Sequence, residues 1–363
     1  MSIIHTFLSS PIGLDVGSQA IKAVQLAKSG GRPYVAAHAM IGRTQPGEQV
    51  GEEEVRRLAR VLAQQGFKGR KVNISVPSDR LMTSMLDMPP RDSGAPYDVI
   101  TEREFSRLQR LDPGQFEYAW WEVPKPARAS GAKVMAVGCA HTDSLELLDV
   151  FEGSGFDVVA MDSGLCASVQ VCLDITGPSE GVSAVLDLGW TSARLALVHN
   201  GVMVYDRMLT GSGLGIVQKK VCESFGVETP EADVLIQSVG LLTEESAASQ
   251  DSRLNSVASQ LRPVLTNYVD GIADEIKASL EYAGHEYPNA SSHRVVLVGG
   301  GAAVPGVCAY MGGRIGPDVV AARIPPSLLT GNKGPRQTEG IDTTLAPLYI
   351  PAIGLTGYQG QQA

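Results

Sequence analysis

The sequence lacks most residue patterns that mark familiar enzyme and nucleic-acid chemistries. Its five cysteines, at 139, 166, 172, 222 and 308, are odd in number and form no CxxC pair. A disulfide framework or a zinc ribbon is therefore not expected, and buried thiols in a reducing cytoplasm fit this usage. The six histidines show no HxxxH spacing, so no metal site of that kind is proposed. No GxxxxGK[ST] occurs, which excludes a standard P-loop. No run of Lys and Arg occurs either: 30 basic residues stand against 39 acidic ones, a net charge of -9. Such a surface has no global attraction for nucleic acid or for an anionic bilayer. Long apolar runs are missing too. Residues Val295 to Gly313 carry no charge, but six glycines and Pro305 make them a strand–turn–helix, not a membrane span. The opening MSIIHTFLSSPIGLD has no basic n-region and no full apolar core, so no signal peptide is expected.

The 363 residues are too many for one ordinary domain and suit two lobes. With 44% hydrophobic and 19% charged residues the composition is globular. The 40 glycines suggest tight turns and close backbone approach to a ligand.

Hydrophobic patterning predicts strands at Ile12–Asp15, Ala20–Leu26 and Tyr34–Met40, an antiparallel meander. A helix is expected over Glu52–Gln65, with Val55, Leu58 and Leu62 on one face and acidic residues at its start. A strand follows at Val72–Val76. Leu81–Met88, Phe116–Val123, Val134–Cys139 and Phe156–Met161 read as strands, and Tyr97–Leu111 and Asp143–Glu152 as helices. Roughly 80–160 thus looks like a small α+β subdomain. A second meander spans Val182–Asp187, Ser192–Val198 and Val202–Leu209, with His199-Asn200-Gly201 as a hairpin turn. Helices are expected at Leu214–Phe225 and Glu231–Ser238, and a polar loop at Glu244–Ser252. A long amphipathic helix or helix pair follows over Ser256–Ala283, with Pro263 as a kink or boundary. Arg294–Val298 is a strand. Beyond Arg323 the chain reads as irregular until a short, glycine-rich apolar piece near Ala352–Thr356.

Two segments match without gaps: Leu14-Asp15-Val16-Gly17-Ser18-Gln19-Ala20-Ile21-Lys22 and Leu186-Asp187-Leu188-Gly189-Trp190-Thr191-Ser192-Ala193-Arg194. Each places a basic residue seven after the Asp, and each opens a meander, as two similar lobes would. A strand ending in Asp sets a carboxylate at its tip, and the glycine lets turn N–H groups approach phosphate oxygens. Two such turns could clamp a polyphosphate, with the carboxylates holding Mg²⁺ through water. Taken singly, either turn also reads as an ordinary hairpin whose Asp bonds its own turn. A third element, Val295–Val307, is a buried strand, a Gly299-Gly300-Gly301 turn and a helix start. It offers bare backbone to a flat ligand.

The order of these three turns resembles the phosphate-1, phosphate-2 and adenosine motifs of the actin/Hsp70/sugar-kinase superfamily. Within it, the sequence is most similar to the PilM family of type IV pilus assembly. Ile12–Leu26 resembles that family's opening GxDxGSxxxKxVxL. Tyr97–Val123 with Trp120-Trp121 resembles its inserted subdomain, and Leu280–Val307 its passage into GGGxxxPG. The resemblance implies an α/β, actin-like (ribonuclease H-like) two-lobed fold with duplicated meanders and an inserted small α+β subdomain. It divides the chain into a first core (1–80, 161–181, 336–363), the insert (81–160), a second core (182–215, 285–335) and a helical subdomain (216–284). It implies ATP with Mg²⁺ between the lobes. Asp15, Gly17, Ser18, Gln19, Lys22, Asp187, Gly189, Trp190, Thr191, Gly211, Gly213, Lys219, Lys220 and Gly299–Ala302 (Gly299, Gly300, Gly301, Ala302) form the nucleotide site, with Asp15 and Asp187 at the metal. Trp190 departs from the small residues usual in the second turn.

The implied partner is the short N-terminal cytoplasmic tail of a PilN-like bitopic membrane protein, bound between the insert and its host core. The Leu81–Met88 edge and one of Trp120 and Trp121 are candidates to line that groove. Other pilus machinery would also be contacted, self-association is left open, and no nucleic acid or direct membrane insertion is expected. The implied location is cytoplasmic, peripheral at the inner membrane through the partner. An ATP-hydrolysing or phosphotransfer enzyme of the same fold is an alternative, with Asp162 and Glu228 as the only candidate bases. An FtsA-like filament is another, but the polar tail Tyr358–Ala363 cannot form the amphipathic anchor it needs.

Overall fold

The computed structural model describes residues 9–176, 180–241, 252–316, 318–329 and 341–358. Most of the polar loop expected at Glu244–Ser252 and the tail after Tyr358 lie outside the described residues. Two compact units emerge: Met1–Asp174 with Arg323–Ala363, and Ile175–Ala322.

The first unit opens with β1 (Ile12–Val16), β2 (Ala20–Ser29) and β3 (Arg32–Gly42), then α1 (Glu52–Gln64) and β4 (Lys71–Val76). An inserted stretch follows: β5 (Leu81–Met88), α2 (Tyr97–Gln109), β6 (Phe116–Val123), β7 (Ala132–Ala140) and α3 (His141–Gly153). The chain then regains the first sheet as β8 (Asp157–Ser163) and continues into α4 (Gly164–Thr176). The sheet order is β3-β2-β1-β4-β8, antiparallel through the meander and parallel from β1 to β8. Leu14, Ile21, Leu58, Ile74 and Phe151 are fully buried on it. The insert makes its own antiparallel sheet, β5-β7-β6. Phe105 of α2 packs there on Phe116 and Tyr118, and Trp120 joins the same core.

The second unit repeats the plan. β9 (Val182–Leu188), β10 (Ala193–His199) and β11 (Val202–Leu209) form its meander. Then come α5 (Leu214–Phe225), α6 (Thr229–Val239), α7 (Ser252–Glu286), β12 (Ser292–Val298), α8 (Val307–Ile315) and β13 (Asp318–Ala321). The order β11-β10-β9-β12-β13 is the first sheet's order over again. The chain returns to the first unit with α9 (Pro326–Leu329) and α10 (Ala346–Leu355).

Three readings from sequence are corrected. Pro263 neither ends nor divides α7, which is one helix of 35 residues. Leu261, Leu265, Ile272 and Ile276 are buried on either side of it, so packing carries the helix across a residue that lacks an amide donor. The chain at 164–176, not read as an element, is a helix whose buried Leu165, Val169, Val171 and Cys172 are too uniformly apolar to show a period. The C-terminal piece near Ala352–Thr356 belongs to a helix despite its glycine. Gly354 is a docking surface: a Cβ there would lie 2.2 Å from the Ala167 carbonyl oxygen. Gly13 in β1 likewise admits the Ala352 carbonyl, to 2.0 Å from where its Cβ would be. Asn73 Nδ2 of β4 donates to the Leu355 carbonyl at 2.7 Å.

Gly354→Ala should therefore force backbone apart and cost roughly 3 kcal/mol, the upper end of overpacking. Urea unfolding would measure it; a midpoint equal to wild type would show that α10 docks otherwise.

Candidate functional site: two Asp-Gly turns and a triple-glycine turn

The spacing of seven between Asp and the basic residue has a simple origin. Asp15 and Lys22 are directly opposite across the β1–β2 hairpin, and Asp187 and Arg194 across β9–β10. In the first unit Lys22 Nζ meets Asp15 Oδ2 at 3.1 Å. The other carboxylate oxygen, Oδ1, accepts from the Ser75 hydroxyl at 3.4 Å, and that hydroxyl accepts from the Val16 amide at 2.8 Å. In the second unit Arg194 places Nε and Nη2 on the two oxygens of Asp206, at 2.8 and 2.6 Å. Their side chains are only 6% and 1% exposed, so this fork is almost dry.

Glycine is required at the same place in both turns. A Cβ on Gly17 would stand 2.8 Å from the Ala20 carbonyl oxygen, and one on Gly189 2.7 Å from that of Ser192. Beyond the first glycine, the amides of Ser18 and Gln19 donate to no acceptor among the described residues. The second turn is seated on α5. The Leu214 and Gly215 amides donate to the Gly189 and Trp190 carbonyls at 3.0 and 2.9 Å. Gly213 lies where a Cβ would overlap the Trp190 and Thr191 carbonyls, so it serves this seating. The Trp190 indole lies against Gly215, 2.9 Å from where a Cβ would be. Its bulk is thus taken up by the first turn of α5.

The triple-glycine turn meets Asp187 directly. Gly299, at φ +81°, would put a Cβ 2.2 Å from Asp187 Oδ1, and Gly301 would put one 2.6 Å from Leu188 Cβ. Gly300 differs: its Cβ would meet nothing within 4 Å. Two glycines are thus demanded by the fold, and the middle one faces open space. Ala302 is buried in the 3-10 turn Gly300–Ala303.

Gly211, at φ +73°, borders a cavity of about 410 Å³ with Ser212, Lys220, Tyr268, Arg207 and Glu275. Burial, with Asp187 nearby, pushes the Tyr268 phenol well above its usual range, and its hydroxyl donates to the Ser212 carbonyl at 3.0 Å. Lys219 projects into solvent along α5 toward Glu223, outside that cavity lining. Asp162 ends β8 beside Ser75, and desolvation raises its carboxyl pKa. Glu228 is the N-cap of α6, in a reciprocal capping box with Glu231. Ser75 and Tyr268 were not singled out from sequence as site residues.

The family model for the type IV pilus assembly protein PilM matches residues 13–355. The chain belongs to the PilM family. Among solved structures, a chain of a PilM–PilN type IV pilus biogenesis complex is 19% identical, over 96% of this chain and 98% of that one, with a TM-score of 0.73. The ethanolamine utilization protein EutJ from Carboxydothermus hydrogenoformans is 15% identical over 96% and 89%, with a TM-score of 0.51. MreB5 of Spiroplasma citri, bound to AMPPNP, is 14% identical over 86% and 90%, with a TM-score of 0.50. These likenesses give the fold: it is actin-like.

Arg194→Ala should destabilise the second unit by about 3–5 kcal/mol, because Asp206 would keep a buried, unpaired charge. Denaturant unfolding would report this, and Arg194→Ala with Asp206→Ala should recover part of the loss.

Proposed function

We propose that the chain is a nucleotide-binding scaffold of type IV pilus assembly that captures the N-terminal tail of a PilN-like membrane protein. The family match over 13–355 carries this reading. The nucleotide would be ATP with Mg²⁺. In the second unit Asp187, Gly189, Trp190, Thr191, Gly211, Lys220 and Gly299–Ala302 would serve it; in the first, Asp15, Gly17, Ser18, Gln19 and Lys22. Gly213, which seats the turn on α5, and Lys219, which projects into solvent, are left out of that set. The residues present fit such a ligand: among the described residues nothing stands within 4 Å of where a Gly300 Cβ would be, and the Ser18 and Gln19 amides have no acceptor. The bound metal would offset phosphate charge beside Asp15 and Asp187. Lys22 already holds Asp15, so it would balance charge on that carboxylate or turn toward phosphate.

For the partner, the face of the small sheet opposite α2 supplies support. Met85, Met135 and Trp121 are consecutive cross-strand neighbours there, and Met85 is 36% exposed. Val159, on the open edge of β8, is 53% exposed. An extended apolar tail suits such a sheet face and strand edge. Nucleotide would act by favouring the form that binds the tail, a population shift that needs no turnover. Among the described residues no helix is long and apolar enough to cross a membrane. The family match supports a proposed location in the cytoplasm, held at the inner membrane by the partner.

Gly300→Val should weaken Mg-ATP binding about tenfold or more while leaving the melting temperature unchanged, since its side chain would occupy only the open space. Calorimetry with ATP tests this, and wild-type affinity would remove the assignment. A synthetic tail peptide should bind wild type at micromolar concentration and bind Met85→Glu about tenfold more weakly, read by fluorescence polarisation. No binding to wild type at high micromolar concentration would defeat the scaffold reading. ATP recovered intact after hours on the protein would support an adaptor, and steady conversion to ADP would point to an ATPase.

A further inference from the structure

The two Asp-Gly turns are held from behind by different chemistry. In the second, the carbonyls of Gly189 and Trp190 accept from the amides that open α5. Helix starts leave such amides unpaired, so they are at hand. The equivalent carbonyls of the first turn are Gly17 and Ser18. Among the described residues no helix-start amide donates to them: β3 runs into an irregular segment, and α1 starts only at Glu52. The work falls to residues 43–47. Arg43 Nη1 donates to the Gly17 carbonyl at 3.1 Å. The Gly47 amide donates to Ser18 O at 2.9 Å, and the Arg43 amide to Gln19 O at 2.8 Å.

The guanidinium is itself fixed. Its Nε donates to Glu54 Oε2 at 2.8 Å and its Nη2 to the Glu48 carbonyl at 2.9 Å. The other Glu54 oxygen accepts from the Thr44 amide at 2.8 Å. The Arg43 and Glu54 side chains are 3% and 7% exposed, so the pair is screened little by water.

In a trans peptide the N–H points opposite to the C=O, and the described chain has no cis bond. Drawing the Gly17 and Ser18 carbonyls toward Arg43 and Gly47 therefore turns the Ser18 and Gln19 amides the other way. Those two amides have no acceptor among the described residues. We propose that Arg43, locked by Glu54, is a positioning residue for anion binding at the Gly17–Gln19 turn, the side-chain counterpart of the α5 N-terminus in the second unit. This rests on the nucleotide reading above.

The test uses full-length protein carrying Arg43→Lys. Lysine keeps a cation beside Glu54 but has no planar fork to reach the Gly17 and Glu48 carbonyls together. Calorimetry with Mg-ATP and with adenosine is paired with hydrogen–deuterium exchange on the ligand-free protein. The expected result is about a tenfold loss for ATP, the scale of one charge-assisted hydrogen bond. Adenosine affinity should hold, and exchange should rise over 14–22 and not over 186–194. Unchanged ATP affinity would overturn the proposal. So would equal losses for ATP and adenosine with exchange raised throughout, which mark a merely structural residue. If wild type binds no ATP, the nucleotide reading falls. The exchange pattern then judges Arg43 alone: a selective rise over 14–22 supports its positioning role, and no rise refutes it.

Discussion

Each five-stranded sheet is organised by one strand that pairs in opposite senses on its two sides. β1 runs antiparallel to β2 and parallel to β4; β9 runs antiparallel to β10 and parallel to β12. A strand so placed is buried on both faces, and its end is the first point where the chain regains polar surroundings. Asp15 and Asp187 occupy that position. The hairpin on one side sets the basic residue opposite the carboxylate. The parallel neighbour on the other side brings up Ser75 in the first unit and the Gly299 turn in the second. The chemistry of both turns follows from this pairing.

The duplication is topological more than chemical. Both sheets have the same strand order, yet the two lobes solve equivalent problems with different groups. One carboxylate takes a lysine, whereas the second arginine forks onto a neighbouring strand's Asp206. One turn is seated on the amides that open a helix, the other on a guanidinium together with two loop amides. A tryptophan is accommodated in the second turn because Gly215, on which it lies, has no side chain. The first turn hangs on a specific side chain.

The insert leaves the first sheet's own plan intact. It leaves the sheet after β4 and returns as β8, so the carboxyl ends of β1, β4 and β8 remain together. Its own core of Phe105, Phe116 and Tyr118 stabilises one face of its sheet, and the opposite face carries the methionines and Trp121. On that face Met135 is buried and Met85 is partly exposed.

Much of this was legible in the sequence. The gapless match of Leu14–Lys22 to Leu186–Arg194, and the triple glycine after an apolar strand, gave the duplicated fold, the turns and the family. Local pattern suffices there because hairpin register and strand burial are written in neighbouring residues. It did not suffice for α10, which is buried almost all round, nor for α4, which shows only Gln170 and Asp174 to solvent, nor for α7, where packing overrides Pro263. The brace at Arg43 could not be read at all. It sits 26 residues from Gly17, and only the return of β3 alongside β2 brings its guanidinium to that carbonyl. The sequence by itself settled which residues turn, which are buried and which family they form. Tertiary structure alone decided which groups hold each turn in place, because those partners lie far apart along the chain and meet only when the sheets close.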